Sequence, residues 1–113
     1  MKFLVSTGGS WDMKYKIKYV PSADRDLVAI YTFLEEYPQK RLRIFSKLDI
    51  ALARLASMPK MFPIYDADPQ FRRIVIEDYL VFYKLVESEE LIEIHRILYA
   101  KMDIQKQFSP PTP

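Results

Sequence analysis

The sequence predicts an α+β domain: an N-terminal strand, a helical hairpin, then a three-stranded antiparallel meander, with the helices packed on one face of the sheet. Three observations carry this reading. Residues 14–20 alternate strictly between lysine and apolar or aromatic side chains, two stretches with a 3.6-residue apolar period flank Pro38, and three apolar runs follow Gln70 with only short acidic breaks between them.

In Lys14-Tyr15-Lys16-Ile17-Lys18-Tyr19-Val20, Tyr15, Ile17 and Tyr19 fall on one face and the lysines on the other, the pattern of a half-buried edge strand. Pro21-Ser22 opens the first helix. Ser22 is placed to cap it, Asp24 and Asp26 suit the positive end of its dipole, and Ala23, Leu27, Ile30, Tyr31, Leu34 and Tyr37 form its apolar stripe. Pro38 breaks the pattern. A second helix is expected from about Gln39 to Met58, with Ile44, Phe45, Leu48, Ala51, Leu52 and Leu55 inward and Pro59 as the stop. Residues 61–70 contain two prolines and two aspartates, which makes an irregular connection. Strands are then expected at Phe71–Ile76, Tyr79–Val86 and Leu91–Tyr99, joined by a tight turn at Glu77-Asp78 and a polar one at Glu87–Glu90. The outer sheet face is left open for a partner.

Composition removes whole classes of chemistry. The 113 residues include no cysteine, so there are no disulfides, thiolate metal sites or cysteine nucleophiles, and one histidine, so no histidine pair. Both glycines, Gly8 and Gly9, precede Met13, which leaves no glycine-rich loop to cradle a phosphate or dinucleotide. No cofactor and no metal are expected. Residues 1–12 read as a flexible leader or tag, with too short an apolar run for a signal or membrane span, residues 13–108 as one domain, and 109–113 as a frayed proline-rich tail.

With 17 basic and 15 acidic side chains, charge distribution matters more than net charge. Lys40, Arg41, Arg43, Lys47, Arg54 and Lys60 face a single acid, Asp49, over residues 40–60. This is either the solvated face of an amphipathic helix or a face able to lie along phosphates. Arg72 and Arg73 point to opposite sides of their strand. Strict alternation puts Arg96 with Ile92, Ile94 and Leu98, where a guanidinium must be ion-paired, to Asp103 or a helix acid, or must line a site. His95 falls on the other face beside Glu93. Tyr99, Lys101 and Asp103 are close enough in sequence to cluster with Arg96.

Taken in order, Phe71-Arg72-Arg73, Asp78-Tyr79-Leu80-Val81-Phe82-Tyr83-Lys84 and Ile94-His95-Arg96-Ile97-Leu98-Tyr99-Ala100-Lys101-Met102-Asp103 resemble the C-terminal half of the RelE/ParE toxin superfamily. Residues 21–27 resemble its first helix. The resemblance implies a small cytoplasmic toxin of a type II toxin-antitoxin module, held by a cognate antitoxin, with no membrane partner. RelE-like members cut mRNA on the ribosome and ParE-like members inhibit DNA gyrase. Leu80 stands where RelE-like nucleases commonly carry arginine, Met102 at a usually basic position and Phe108 at the late tyrosine. The resemblance is therefore closer to ParE. If the chain cuts RNA, Arg72, Arg73, Arg96, Tyr99 and Lys101 are the residues left to do it; a binding remnant without toxicity is the third possibility.

Overall fold

The computed structural model describes residues 14–101; the expected leader, the tail, Met102, Asp103 and Phe108 lie outside the described residues. The order is β1 (Lys16–Tyr19), α1 (Pro21–Phe33), a 3-10 turn (Leu34–Glu36), α2 (Pro38–Ser57), β2 (Arg72–Ile76), β3 (Tyr79–Val86), a second 3-10 turn (Glu87–Glu89) and β4 (Leu91–Tyr99). This is the expected α+β architecture. The strands form one sheet in the order β1-β4-β3-β2: β2, β3 and β4 make the antiparallel meander, and β1 lies at the edge, parallel to β4.

The helices bury the predicted stripes, with two exceptions. Ala23, Leu27, Ile30 and Leu34 of the first segment and Ile44, Leu48, Ala51, Leu52 and Leu55 of α2 join Ile74, Val81, Tyr83, Ile92, Ile94 and Ile97 in the main core. Tyr31 and Tyr37, expected in the stripe, are exposed. The 3-10 turn after Phe33 tightens the winding and carries Tyr37 off the inner face. Tyr31 lies against the flank of α2, edge-on to Phe45 and under the Arg41 guanidinium, 4.1 Å from its ring.

Ser22 is not the helix cap. Pro21 occupies the first turn, Val20 is the capping residue without a side-chain bond, and the Ser22 hydroxyl donates instead to the His95 carbonyl at 2.8 Å. That bond belongs to a larger arrangement. β1 pairs with β4 only from Leu91 to Ile94. Beyond that point the β4 edge has no strand beside it, and α1 supplies the missing partners. The Asp26 carboxylate accepts the Ile97 amide at 2.9 Å and the Arg96 guanidinium at 2.7 and 3.1 Å. Arg96 is thus paired to a helix acid, one of the two arrangements expected for it.

The face assigned to Arg96 needs correction. The β3–β4 register passes from Phe82 opposite Arg96 to Tyr83 opposite Ile94, which leaves His95 as an extra residue in a bulge. Alternation shifts by one there. Ile92, Ile94 and then Ile97 face the helices, while Leu98 turns outward to join Phe71 and Phe82 in a second small core. Tyr65, from the connection after α2, packs edge-on against Phe82 and covers part of the sheet face expected to be open.

Two acidic residues occupy left-handed backbone, Glu77 at φ 52° in the β2–β3 turn and Glu90 at φ 49° before β4. Glycine would fit such positions without steric cost, at some cost in unfolded-state entropy. Glu77 is held from outside the turn: its carboxylate accepts Arg43 and, at 2.9 Å, Lys47, both from α2, while Lys40 reaches Asp78 at 3.3 Å. Arg43 first, then Lys47, hold the Glu77 carboxyl well below its ordinary 4.5, at about 2.

Two outcomes follow. Asp26→Ala strands the Arg96 charge and the Ile97 amide, and should lower unfolding free energy in urea by about 2–3 kcal/mol. Asp26→Asn keeps an acceptor for the amide and should lose less. Because Glu77 titrates lower when folded, its contribution is complete above 4.5 and fades as pH falls towards about 2. The urea midpoint of Glu77→Gln should therefore change less across that interval than that of the parent.

Candidate functional site: an apolar groove beside the open half of β4

The exposed end of the α1–α2 hairpin stands away from the sheet, and the space between them is a groove of about 730 Å³. Its floor and walls are apolar, with Ile30 and Leu34 from the helical side and Ile97 and Leu98 from β4. Three aromatic side chains cluster at its rim, Phe33, Tyr37 and Tyr99, which are 70, 54 and 40 % exposed. Tyr99 sits opposite Tyr79 across β3–β4, with ring centroids 5.8 Å apart. Desolvation raises the Tyr79 hydroxyl above its ordinary 10, away from the range of a general base. The charges at the rim, Asp26 with Arg96 and Lys40 with Asp78, are already paired. A groove of this kind is suited to an apolar segment of a partner.

The five sequence candidates for a nuclease surface do not converge. Arg72 lies on the helix-facing side and donates to the carbonyls of Lys60 and Phe62, at 3.2 and 2.8 Å. Its cross-strand neighbour Tyr83 donates to the Pro59 carbonyl at 2.9 Å, and burial pushes that phenol up to about 12. Together they fasten the connection after α2 to the sheet. Arg73 pairs across from Phe82 on the opposite face. Arg96 is engaged with Asp26 at the β4 edge, Tyr99 lines the groove, and Lys101 is exposed in the turn that follows. His95 bonds Glu93 at 3.1 Å and lies edge-on to Phe71. Among the described residues no group of histidine and carboxylate side chains is placed to hold a metal.

The basic stretch of α2 is largely neutralised. Lys40, Arg43, Lys47 and Lys60 pair with Asp78, Glu77 and Glu87, and Arg41 covers Tyr31. Of its two alternatives, the amphipathic face is the better description; its acids come from the meander turns, far away in sequence. The apolar period of the first helix places Tyr31 and Tyr37 inward and so hides the groove, although Phe33 beside Glu35 and Glu36 is a signal of an exposed aromatic tip.

Comparison with known proteins agrees with this geometry. No curated protein matches the sequence. Two solved structures share the fold. One is the chromosomal ParDE TA system from P. aeruginosa, at TM-score 0.63 and 20% identity over 79% of this chain and 98% of that one. The other is the toxin-antitoxin complex RelBE2 from Mycobacterium tuberculosis, at TM-score 0.58 and 16% identity over 79% and 95%. The family model described as ParE toxin of type II toxin-antitoxin system, parDE, matches residues 17–104, which take in both helices and all of the sheet but the first residue of β1, and the chain therefore belongs to the ParE toxin family.

Proposed function

We propose that this chain is the growth-arresting half of an addiction module, that it acts in the cytoplasm by inhibiting DNA gyrase through binding, and that a cognate antitoxin neutralises it. One observation carries the choice of binding over cleavage: the residues available for RNA chemistry are dispersed over two faces and an edge, and Arg72 and Arg96 are committed to backbone carbonyls and to Asp26. A nuclease needs its acid, base and charge-stabilising groups within hydrogen-bond reach of one substrate position. Nothing in this arrangement calls for a cofactor.

The antitoxin reading draws on the two neighbours, each described with its antitoxin, and on the groove. An apolar segment that is disordered when free gains its binding energy by burying aromatic surface of the kind Phe33, Tyr37 and Tyr99 present. No helix among the described residues is long and apolar enough to cross a membrane.

Purified protein added to a gyrase supercoiling reaction should suppress supercoiling, and a translating ribosome extract read by primer extension should show no new cuts. Codon-positioned cuts with normal supercoiling would instead establish a ribosome-dependent endoribonuclease, in which case alanine at Arg73 and Tyr99 should abolish cutting. Expression alone should arrest growth and co-expression of the adjacent open reading frame should restore it. Normal growth with abundant folded protein would leave only the non-toxic binding remnant.

A further inference from the structure

Three cations of α2, Lys40, Arg43 and Lys47, have carboxylate partners, as described above. Those on the outer face of the sheet do not: among the described residues, Lys16, Lys18, Arg73 and Lys84 have no carboxylate within ion-pairing distance. The register places all four on one surface. Ile17 and Tyr19 pack into the main core, which turns Lys16 and Lys18 outward; Tyr83 and Leu85 do the same for Lys84; and Arg73 stands opposite the outward-facing Phe82. The only acid among them is Glu93, opposite both Lys18 and Lys84, and its carboxylate bonds His95. The face therefore carries four cations against one acid, on the side away from the groove.

We propose that this outer face is a binding surface for duplex DNA, recognised through its phosphate backbone. This goes beyond the inhibitory reading and does not depend on it. The sheet is three strand spacings wide between β1 and β2, roughly 14 Å. Duplex DNA presents about eight phosphate charges over that length of axis, enough to engage every cation. An extended acidic peptide crossing the same width has about four residues, of which alternate ones face the sheet, so it supplies about two carboxylates. The aromatic rings of the face favour a duplex over a single strand. Phe71 and Phe82 are buried and Tyr65 is packed edge-on against Phe82, which leaves little ring surface for an unpaired base to stack on. Contacts limited to phosphates make the binding independent of base sequence.

The test is fluorescence anisotropy with the full chain and two labelled duplexes of unrelated sequence, across a salt series. Both duplexes should bind alike, with log K falling against log salt at a slope of about 3–4 for four phosphate contacts. Lys16→Gln/Lys18→Gln/Lys84→Gln should reduce that slope by about 3, and Lys84→Gln alone by about 1, with the thermal melt of each variant showing that it is folded. Lys47→Gln/Arg54→Gln/Lys60→Gln, of identical net charge, should bind within about twofold of the parent. Absence of binding at low salt overturns the proposal, as does equal weakening by the two triple variants. Displacement of the duplex by poly-glutamate at equal or lower concentration would assign the face to an acidic protein segment instead. None of these readouts involves gyrase or growth, so failure here leaves the proposed toxin activity standing, and failure of that activity leaves this surface to be judged by itself.

Discussion

The carboxylate of Asp26 fixes where α1 sits along the edge of the sheet. β1 is four residues long and β4 nine, so more than half of one edge of this interior strand is left without a neighbour. Each unpaired amide shielded from water costs on the order of 1–3 kcal/mol. α1 resolves the mismatch with side chains in place of a strand, Ser22 at the His95 carbonyl and Asp26 at the Ile97 amide. Because Asp26 also takes both nitrogens of Arg96, the helix is fixed in rotation as well as in distance. The position of the hairpin, and with it the groove, follows from that anchor.

Charge in this protein divides into fastening and reaching. Arg72 and Tyr83 grip the carbonyls of the connection after α2, Arg43 and Lys47 grip the β2–β3 turn, and Arg96 grips α1. Lys16, Lys18, Arg73 and Lys84 gather on the face that the helices leave uncovered, and Phe33, Tyr37 and Tyr99 gather at the groove. A protein with so few reactive side chains thus has two chemically different surfaces, one greasy and one basic, back to back across the same sheet.

Much of the fold was legible because its signals are local. Proline positions mark the start of both helices and the end of α2 to within a residue or two, and the meander strands stand where the apolar runs are. The pairing of Arg96 with a helix acid could be anticipated from the cost of burying a lone guanidinium. What was not legible depends on partners distant in the chain. The bulge at His95 shifts the inward face from Arg96 to Ile97, and no residue type marks it. Ser22 has the ideal chemistry of a cap, yet the open β4 edge competes for its hydroxyl and wins. The candidate site was the least readable part. Arg72 looks like a catalytic cation in sequence and proves to be a clamp, and the groove exists only because a 3-10 turn takes Tyr37 out of the helical stripe.

The parallel pairing of β1 with β4 ties the first described strand to the last, with β4 seated inside the sheet. During synthesis at ~5–20 residues per second, β1 therefore waits roughly 4–15 seconds for its neighbour to be made. Until then α1 has no edge to dock on and neither surface is assembled. A translation product that stops short of Leu91 lacks β4, and with it both the edge on which α1 docks and the strand that joins β1 to the meander.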